Sequence, residues 1–369
     1  MIENNEDLEE YERWLNEFVN GNLNMEVVDD ESSKEELEDK EMDFVDDDDD
    51  DIDDSMDETT FPDDTLFPDE EIEQNAALSV KVEILRPIAQ PRKELDRLIG
   101  CDNIKQRIDE LVALASYNKL IREAFPESRQ HEVSLHSVFF GRPGTGKTTV
   151  CRIFGSLLRQ AGALSKGHVV VCDRGTFIGS LWGDEERSMR QVLEKAKGGV
   201  LMIDEAYLLN GKNDNDPGKL VIQLLMNVLS DESHRDIAVV LCGYKNEMQK
   251  LLDTNPGLES RFPNKFEFQD FSVDELLEIT KFRVKDYEYQ FTDLAWDKYR
   301  RMLAQAYQFR NPDTWGNARF IANQLERIYV QHASRCVRQM PADKYQLRLI
   351  TPEDIVPMEL PQSRTKIGF

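Results

Sequence analysis

The sequence predicts an α/β domain built on a parallel sheet, followed by a small all-helical lid domain and preceded by a disordered acidic tail. Three observations predict this. Short apolar runs alternate with helical patterns between residues 135 and 242. From Ser272 onward only helical patterns remain. The first 75 residues hold 33 of the chain's 72 acidic residues but only 3 of its 45 basic ones, a local net charge of −30 against −27 for the whole chain. The rest of the chain is therefore close to neutral.

An unbroken run of aspartates covers residues 46–51, extended by Asp53, Asp54, Asp57 and Glu58. Such a block repels itself and buries too little apolar surface to offset its ordering entropy. Within the tail, taken as residues 1–80, Leu8, Tyr11, Trp14, Leu15, Phe18 and Val19 share one helical face. That stretch, near residues 6–19, reads either as a docking helix for a partner or as a transient helix in a solubilising tail. The aspartates likewise read either as a surface for a basic partner or as a solvated run.

After the tail, Ile104, Ile108, Leu111, Val112 and Ala115 have helical spacing, with Asp102 or Asn103 as the cap. Then come an apolar run at 135–140, a strand near 168–172 and a helix near 185–197. A strand at 200–203, a helix near 218–229 and a strand at 237–242 follow. This alternation implies a parallel sheet covered on both faces, over residues 81–271. Helical patterns at 273–287, 293–307 and 317–338, with a capped turn at 351–355, form a second domain over 272–356. Residues 357–369, carrying Pro357 and Pro361, read as a tail.

No apolar stretch reaches membrane-spanning length, and no signal-peptide core is visible, so membrane insertion is not expected. The five cysteines lack C-x-x-C spacing. Cys151 and Cys172 fall in core elements and read as small buried hydrophobes. A reducing, cytoplasmic compartment fits this usage, and a cysteine metal site does not.

Residues 141–149 read G-R-P-G-T-G-K-T-T, between an apolar run and a helical pattern. This is a phosphate-binding loop in its strand–loop–helix context. Gly141, Gly144 and Gly146 let the backbone curl so that N–H groups surround phosphate oxygens, while Pro143, Thr145 and Thr149 complete the loop. The following helix aims its positive end at the same charge. Lys147 adds a cation, and the Thr148 hydroxyl is a Mg²⁺ ligand. Downstream, G-G-V-L-M-I-D-E-A-Y runs four apolar residues into Asp204 and Glu205. Asp204 reads as a Mg²⁺ holder and Glu205 as the base that orients the attacking water.

L-I-G-C-D-N-I-K, G-R-P-G-T-G-K-T, V-L-M-I-D-E-A-Y, N-P-G-L-E-S-R-F and G-N-A-R together resemble the AAA+ ATPases. Within them the chain is similar to the CbbX-type group, which includes red-type Rubisco activase and stage V sporulation protein K-like proteins. The resemblance spans about residues 93–356. It implies a hexameric ring with ATP at subunit interfaces. It makes Arg261 an arginine finger acting in trans, which neutralises charge on the phosphoryl group of a neighbour's ATP. Arg319 matches a lid arginine that reports on the nucleotide, and Ile99 and Gly100 match the stretch packing on adenine.

Three departures stand out. The first-sensor position shows C-G-Y-K, leaving Tyr244 as the nearest polar candidate. Glu259 stands where the group's string often carries a basic residue, and reads either as weakening phosphate contact or as a partner for Arg261. In the pore-loop stretch F-I-G-S-L-W-G-D, Leu181, Trp182 and Gly183 keep bulk and a glycine, with the aromatic one place late. Trp182 either grips a client chain or packs on a neighbouring helix. The acidic residues 184–186 argue against Rubisco as the default client. The expected function is an ATP-driven ring that remodels a client protein. The alternatives are a nucleic-acid motor, disfavoured by the near-neutral folded part, and a nucleotide-controlled scaffold working through its tail.

Overall fold

Strand β4 (Val200–Ile203) is V-L-M-I, and β5 (Ala238–Gly243) is A-V-V-L-C-G. Every residue of both is buried, because helices cover the two faces of the sheet to which they belong. In the computed structural model, which describes residues 80–125, 134–178, 184–211, 213, 216–230, 236–340 and 343–360, that sheet has six strands. The others are β1 (Glu83–Leu85), β2 (Ser137–Gly141), β3 (Val169–Cys172) and β6 (Asn264–Phe268), in the order β1-β3-β4-β5-β2-β6. All pair in parallel except β1, whose Ile84 lies opposite Val170 in an antiparallel edge. The tail and its candidate docking helix lie outside the described residues.

Alternation along the strands sorts the core into two layers. Val138, Phe140, Leu201, Ile203, Val239 and Leu241 point to one face. There they meet α5 (Asp184–Ala196), α6 (Pro217–Ser230) and α7 (Lys245–Thr254). Phe139, Val200, Met202, Val240 and Phe266 point to the other. There they meet α2 (Asp102–Ala124) and α3 (Lys147–Gln160). Short helices α1 (Pro91–Arg97), α4 (Arg174–Phe177) and α8 (Pro256–Arg261) complete this part. The chain leaves β2 through α3 toward β3 and returns to β2's other side as β6. β2 thus marks the switch point of the sheet, where the C-terminal strand ends open a crevice.

The lid packs α9 (Val273–Asp286), α10 (Asp293–Gln308) and α11 (Ala318–Gln339) around Trp315, Tyr299, Leu303 and Ile321. Ser272 caps α9 in a reciprocal box with Glu275. Thr292 caps α10 by accepting from the Ala295 N–H. Val356, Met358 and Leu360 also lie against this core.

Four sequence expectations need correction. The cap of α2 is Cys101, left-handed at φ 60 with no side-chain bond, and Asp102 is already helical. Residues 351–355 form a turn instead of a helical segment, because the Asp354 carboxylate accepts from the Thr351 N–H and hydroxyl. Strands do not end at Ser272: β7 (Gln290–Phe291) and β8 (Leu349–Ile350) pair within the lid. The edge strands β1 and β6 escape the pattern reading, β1 by its brevity and β6 by its exposed Lys265 and half-buried Glu267.

Candidate functional site

The loop between β2 and α3 is shaped by two left-handed glycines, Gly144 (φ +73) and Gly146 (φ +94). A Cβ on Gly146 would meet nothing, whereas one on Gly144 would lie 2.0 Å from the Gly316 carbonyl. Gly146 is the N-cap of α3 and supplies no side-chain bond, and the first turn holds no acidic residue. The helix therefore ends in unclaimed N–H donors and an uncompensated positive dipole, which fits an anion. Thr145 is buried, and its hydroxyl donates to the Arg142 carbonyl at 2.8 Å. Its side chain braces the loop, and the residue lines the apolar cavity that adjoins the cleft over the loop.

A cleft of about 330 Å³ opens over this loop. Gly141, Pro143, Gly144, Gly146, Lys147, Thr148 and Thr149 line it from the loop side. Asp204 and Glu205 line it from the end of β4, and Tyr244 from the end of β5. The Lys147 ammonium donates to the carbonyls of Gly141 and Arg142, both at 2.9 Å. Burial pulls it below its usual value, against the attraction of Asp204 and Glu205. Asp204 is held by its N–H bonding to the Cys172 carbonyl at 2.8 Å, and its carboxylate accepts from the Glu205 N–H at 3.0 Å. Glu205 itself is left-handed at φ 47, a conformation that costs a non-glycine residue about 1–3 kcal/mol and clusters at functional sites.

Tyr244, the first-sensor candidate, lines this cleft, and Tyr207, which the sequence reading did not single out, stands beside it. Burial pushes the Tyr207 hydroxyl up, and its hydrogen bond to Glu205 adds to the shift. Burial and Glu205 likewise raise Tyr244, whose ring stands edge-on to Tyr207 at 5.9 Å. The signal for Tyr207 was its place in D-E-A-Y, where a tight 3₁₀ turn (Ala206–Asn210) folds it back.

A second cavity of about 420 Å³ adjoins the first and shares Gly146, Thr149, Arg283 and Ala318 with it. Ile99, Phe271, Ile279, Phe282 and Tyr287 make it apolar, as a planar base would require. Gly100 does not line it. Its φ of +66 and the Glu275 carboxylate 2.2 Å from an ideal Cβ make it a point of close approach to the lid. A larger cavity of about 610 Å³ is lined by Arg142 and Lys245, both already paired, with Asp270 and Glu267.

The lid closes the cleft from above. Ala318 donates its N–H to the Gly144 carbonyl at 3.1 Å, and Arg319 and Arg283 line the cleft. Arg283 was not singled out by any motif. Arg261 stands apart from its own chain's cleft. Its guanidinium donates to the Ser230 hydroxyl at 2.8 and 3.2 Å and to the Gly257 carbonyl at 2.9 Å. Glu259 pairs with Lys265 at 2.8 Å, not with Arg261 as the sequence suggested. Leu181, Trp182 and Gly183 lie outside the described residues.

Cys151, Cys172, Cys242 and Cys336 are buried free thiols, and Cys101 is a half-buried one. Among the described residues no cluster of three His, Cys, Asp or Glu side chains is placed to hold a metal. No described helix is long and apolar enough to cross a membrane.

Residues 137–270 match the family model for the ATPase family associated with various cellular activities (AAA), and residues 272–365 match the AAA lid domain. The chain is 35% identical to stage V sporulation protein K of Bacillus subtilis (strain 168) over 288 residues, covering 77% of this chain and 88% of that protein. It is 33% identical to the protein CfxQ homolog of Galdieria sulphuraria over 303 residues, covering 80% and 94%. It is 35% identical to the chromosomal protein CbxX of Cupriavidus necator over 267 residues, covering 71% and 82%. Among solved structures, a RuvB mutant of Thermotoga maritima aligns at 20% identity over 71% of this chain and 70% of its own, with a TM-score of 0.48. The cleft and these relatives agree: the chain is an ATPase of the AAA family, in the group of the CbbX/CfxQ proteins and stage V sporulation protein K.

Proposed function

We propose that this ATPase is one subunit of a ring, a hexamer by its family resemblance, that converts ATP hydrolysis into remodelling of a partner protein. The observation that carries the reading is the shared construction of the cleft. The lid backbone is bonded directly to the phosphate loop through Ala318 and Gly144, so a change in the loop's occupant displaces the lid. In this reading the N–H groups of the loop and Lys147 hold the β and γ phosphates, and Arg319 reaches the same group from the lid. Ile99 borders the adenine. Thr148 and Asp204 would hold Mg²⁺, which would supply positive charge to offset that of the phosphates. Glu205, steadied by Tyr207, orients the attacking water and takes its proton.

Arg261 is not among the residues that line its own cleft and is held by Ser230 and Gly257. In this reading it serves an adjoining subunit, which would make hydrolysis depend on assembly. Leu181, Trp182 and Gly183 would then grip the client, and the acidic tail would recruit a partner. The expected setting is the cytoplasm.

The test is trapping. Glu205→Gln protein should bind ATP, hydrolyse it about 10²–10⁴-fold more slowly, and co-purify with its client as an assembled ring. A protein in that complex supports remodelling. Nucleic acid would replace the reading with a motor on DNA or RNA, and an assembled ring without any client would replace it with a scaffold.

A further inference from the structure

Asn317 is fully buried and carries φ 49 and ψ −128. That region belongs to glycine, and a side chain persists there only where its surroundings hold it. Three bonds do so. The Asn317 carbonyl oxygen accepts from the Phe271 N–H at 3.1 Å, and its amide donates to the Asp270 carboxylate at 2.9 Å and to the Pro143 carbonyl at 3.4 Å. Asp270's other oxygen pairs with Arg142. One side chain in the lid thus reaches the phosphate loop at Pro143 and the connector between the domains at Asp270 and Phe271. The next N–H, that of Ala318, bonds to Gly144, and Arg319 follows.

The packing leaves no slack. With 2.0 Å between an ideal Gly144 Cβ and the Gly316 carbonyl, and 2.8 Å to the Arg319 nitrogen, the loop and residues 316–319 move together or not at all. Phe271, bonded to Asn317, also lines the apolar cavity beside the cleft. The phosphate loop, the connector and, through Phe271, the apolar cavity therefore meet at this amide or its immediate neighbour.

We propose that the Asp270–Asn317 pair is the latch coupling the phosphate loop to the lid, with Asn317 a positioning residue that sets Arg319 for hydrolysis. The inference rests on the reading that residues 141–149 hold the triphosphate. The latch works through geometry: the amide donates toward the loop and the connector while accepting from the connector, so exchanging it for a carboxylate sets two negative oxygens face to face.

The experiment uses the full chain and reads turnover at saturating ATP, affinity for a fluorescent ATP analogue, and the thermal melt. Asn317→Asp should lower kcat about tenfold while changing analogue affinity less than about threefold, the signature of a group that acts mainly in the transition state. The reciprocal swap Asp270→Asn with Asn317→Asp restores a donor facing an acceptor, and should recover kcat to within about threefold of the natural protein. Asn317→Gly keeps the backbone conformation while removing the amide, and should also lower kcat, giving a decision even where the swap does not fold. Turnover at the natural rate in Asn317→Asp or Asn317→Gly overturns the latch. So does a swap that melts and binds analogue normally yet stays slow. Lys147→Ala separates the two levels: analogue affinity unchanged in that variant would sink the triphosphate reading itself, whatever the Asn317 variants do.

Discussion

Two charge clusters, one in each domain, are built in opposite ways. In the lid, Asp354 is 0% exposed and every bond it can make is made. It accepts from Arg335 Nε at 2.7 Å and a terminal Arg335 nitrogen at 2.9 Å, and from the Thr351 N–H at 2.8 Å. His332 Nδ1 lies 3.1 Å away, with its Nε2 bonded to the Leu347 carbonyl at 2.7 Å. In the sheet domain, Lys147, Asp204 and Glu205 share one cleft, yet among the described residues no ion pair joins the lysine to either acid. A charge that is fully paired holds structure together. Charges kept apart around a crevice are available to a ligand. The difference separates scaffold from chemistry more sharply than burial alone.

The largest effect that tests this contrast falls on Arg261. Arg261→Ala should slow hydrolysis by about 10³-fold or more, while the protein melts normally and binds nucleotide. Mixing it with Lys147→Ala protein should recover activity, because each variant supplies what the other lacks. Failure of the mixture would place the arginine's role within one chain. Next comes the paired charge. Asp354→Ala leaves Arg335 buried without its carboxylate and should cost about 3–5 kcal/mol of lid stability, read by the fluorescence of Trp315 during denaturation. Little loss of stability would dissolve the contrast.

A smaller effect distinguishes the two loop glycines. Both are left-handed, so alanine at either should cost about 1–2 kcal/mol of strain. Gly144→Ala adds a clash with the Gly316 backbone, which cannot swing aside, whereas Gly146→Ala meets open space. The melting temperature should therefore fall further for the first. Equal losses would mean that lid and loop are not in the tight contact described.

The smallest effect is one of pH order. Burial pulls the His136 imidazole from 6.5 down to about 4, and its Nδ1 accepts from the Val239 N–H. A depressed histidine folds neutral, so its contribution is full above 6.5 and fades as the pH falls toward 4. Burial alone would raise Asp354, but hydrogen bonds from Arg335, Thr351 and His332 outweigh it and hold the carboxyl at about 2. Its contribution is full above 3.8 and lost only as the pH falls through about 2. Acid should therefore loosen the sheet domain before the lid. Amide exchange that rises first in the lid would reverse that ranking.

Residues whose role depends on neighbours in sequence were readable in advance. The glycine-rich loop and Asp204–Glu205 each follow an apolar strand, and strand direction alone carries them to the same edge of the sheet. Ile99 lines the base-sized cavity, while Gly100 is a point of close approach to the lid. That the Thr145 hydroxyl is satisfied inside the loop is a fact about backbone curvature that composition does not carry. Asn317 was passed over because its partners Pro143, Asp270 and Phe271 come from the other domain or the connector, most of them far away in the chain.

The amino-acid order by itself determined that this chain has a phosphate loop, an acidic strand end, a helical second domain and an acidic leader, since each depends on local pattern and periodicity. Only the tertiary structure decided how the lid meets the loop, which tyrosine supports Glu205, and that Arg261 does not line its own cleft. Those contacts join residues as far apart as Pro143 and Asn317. Such pairings follow from how the layers pack, and packing is a property of the whole fold.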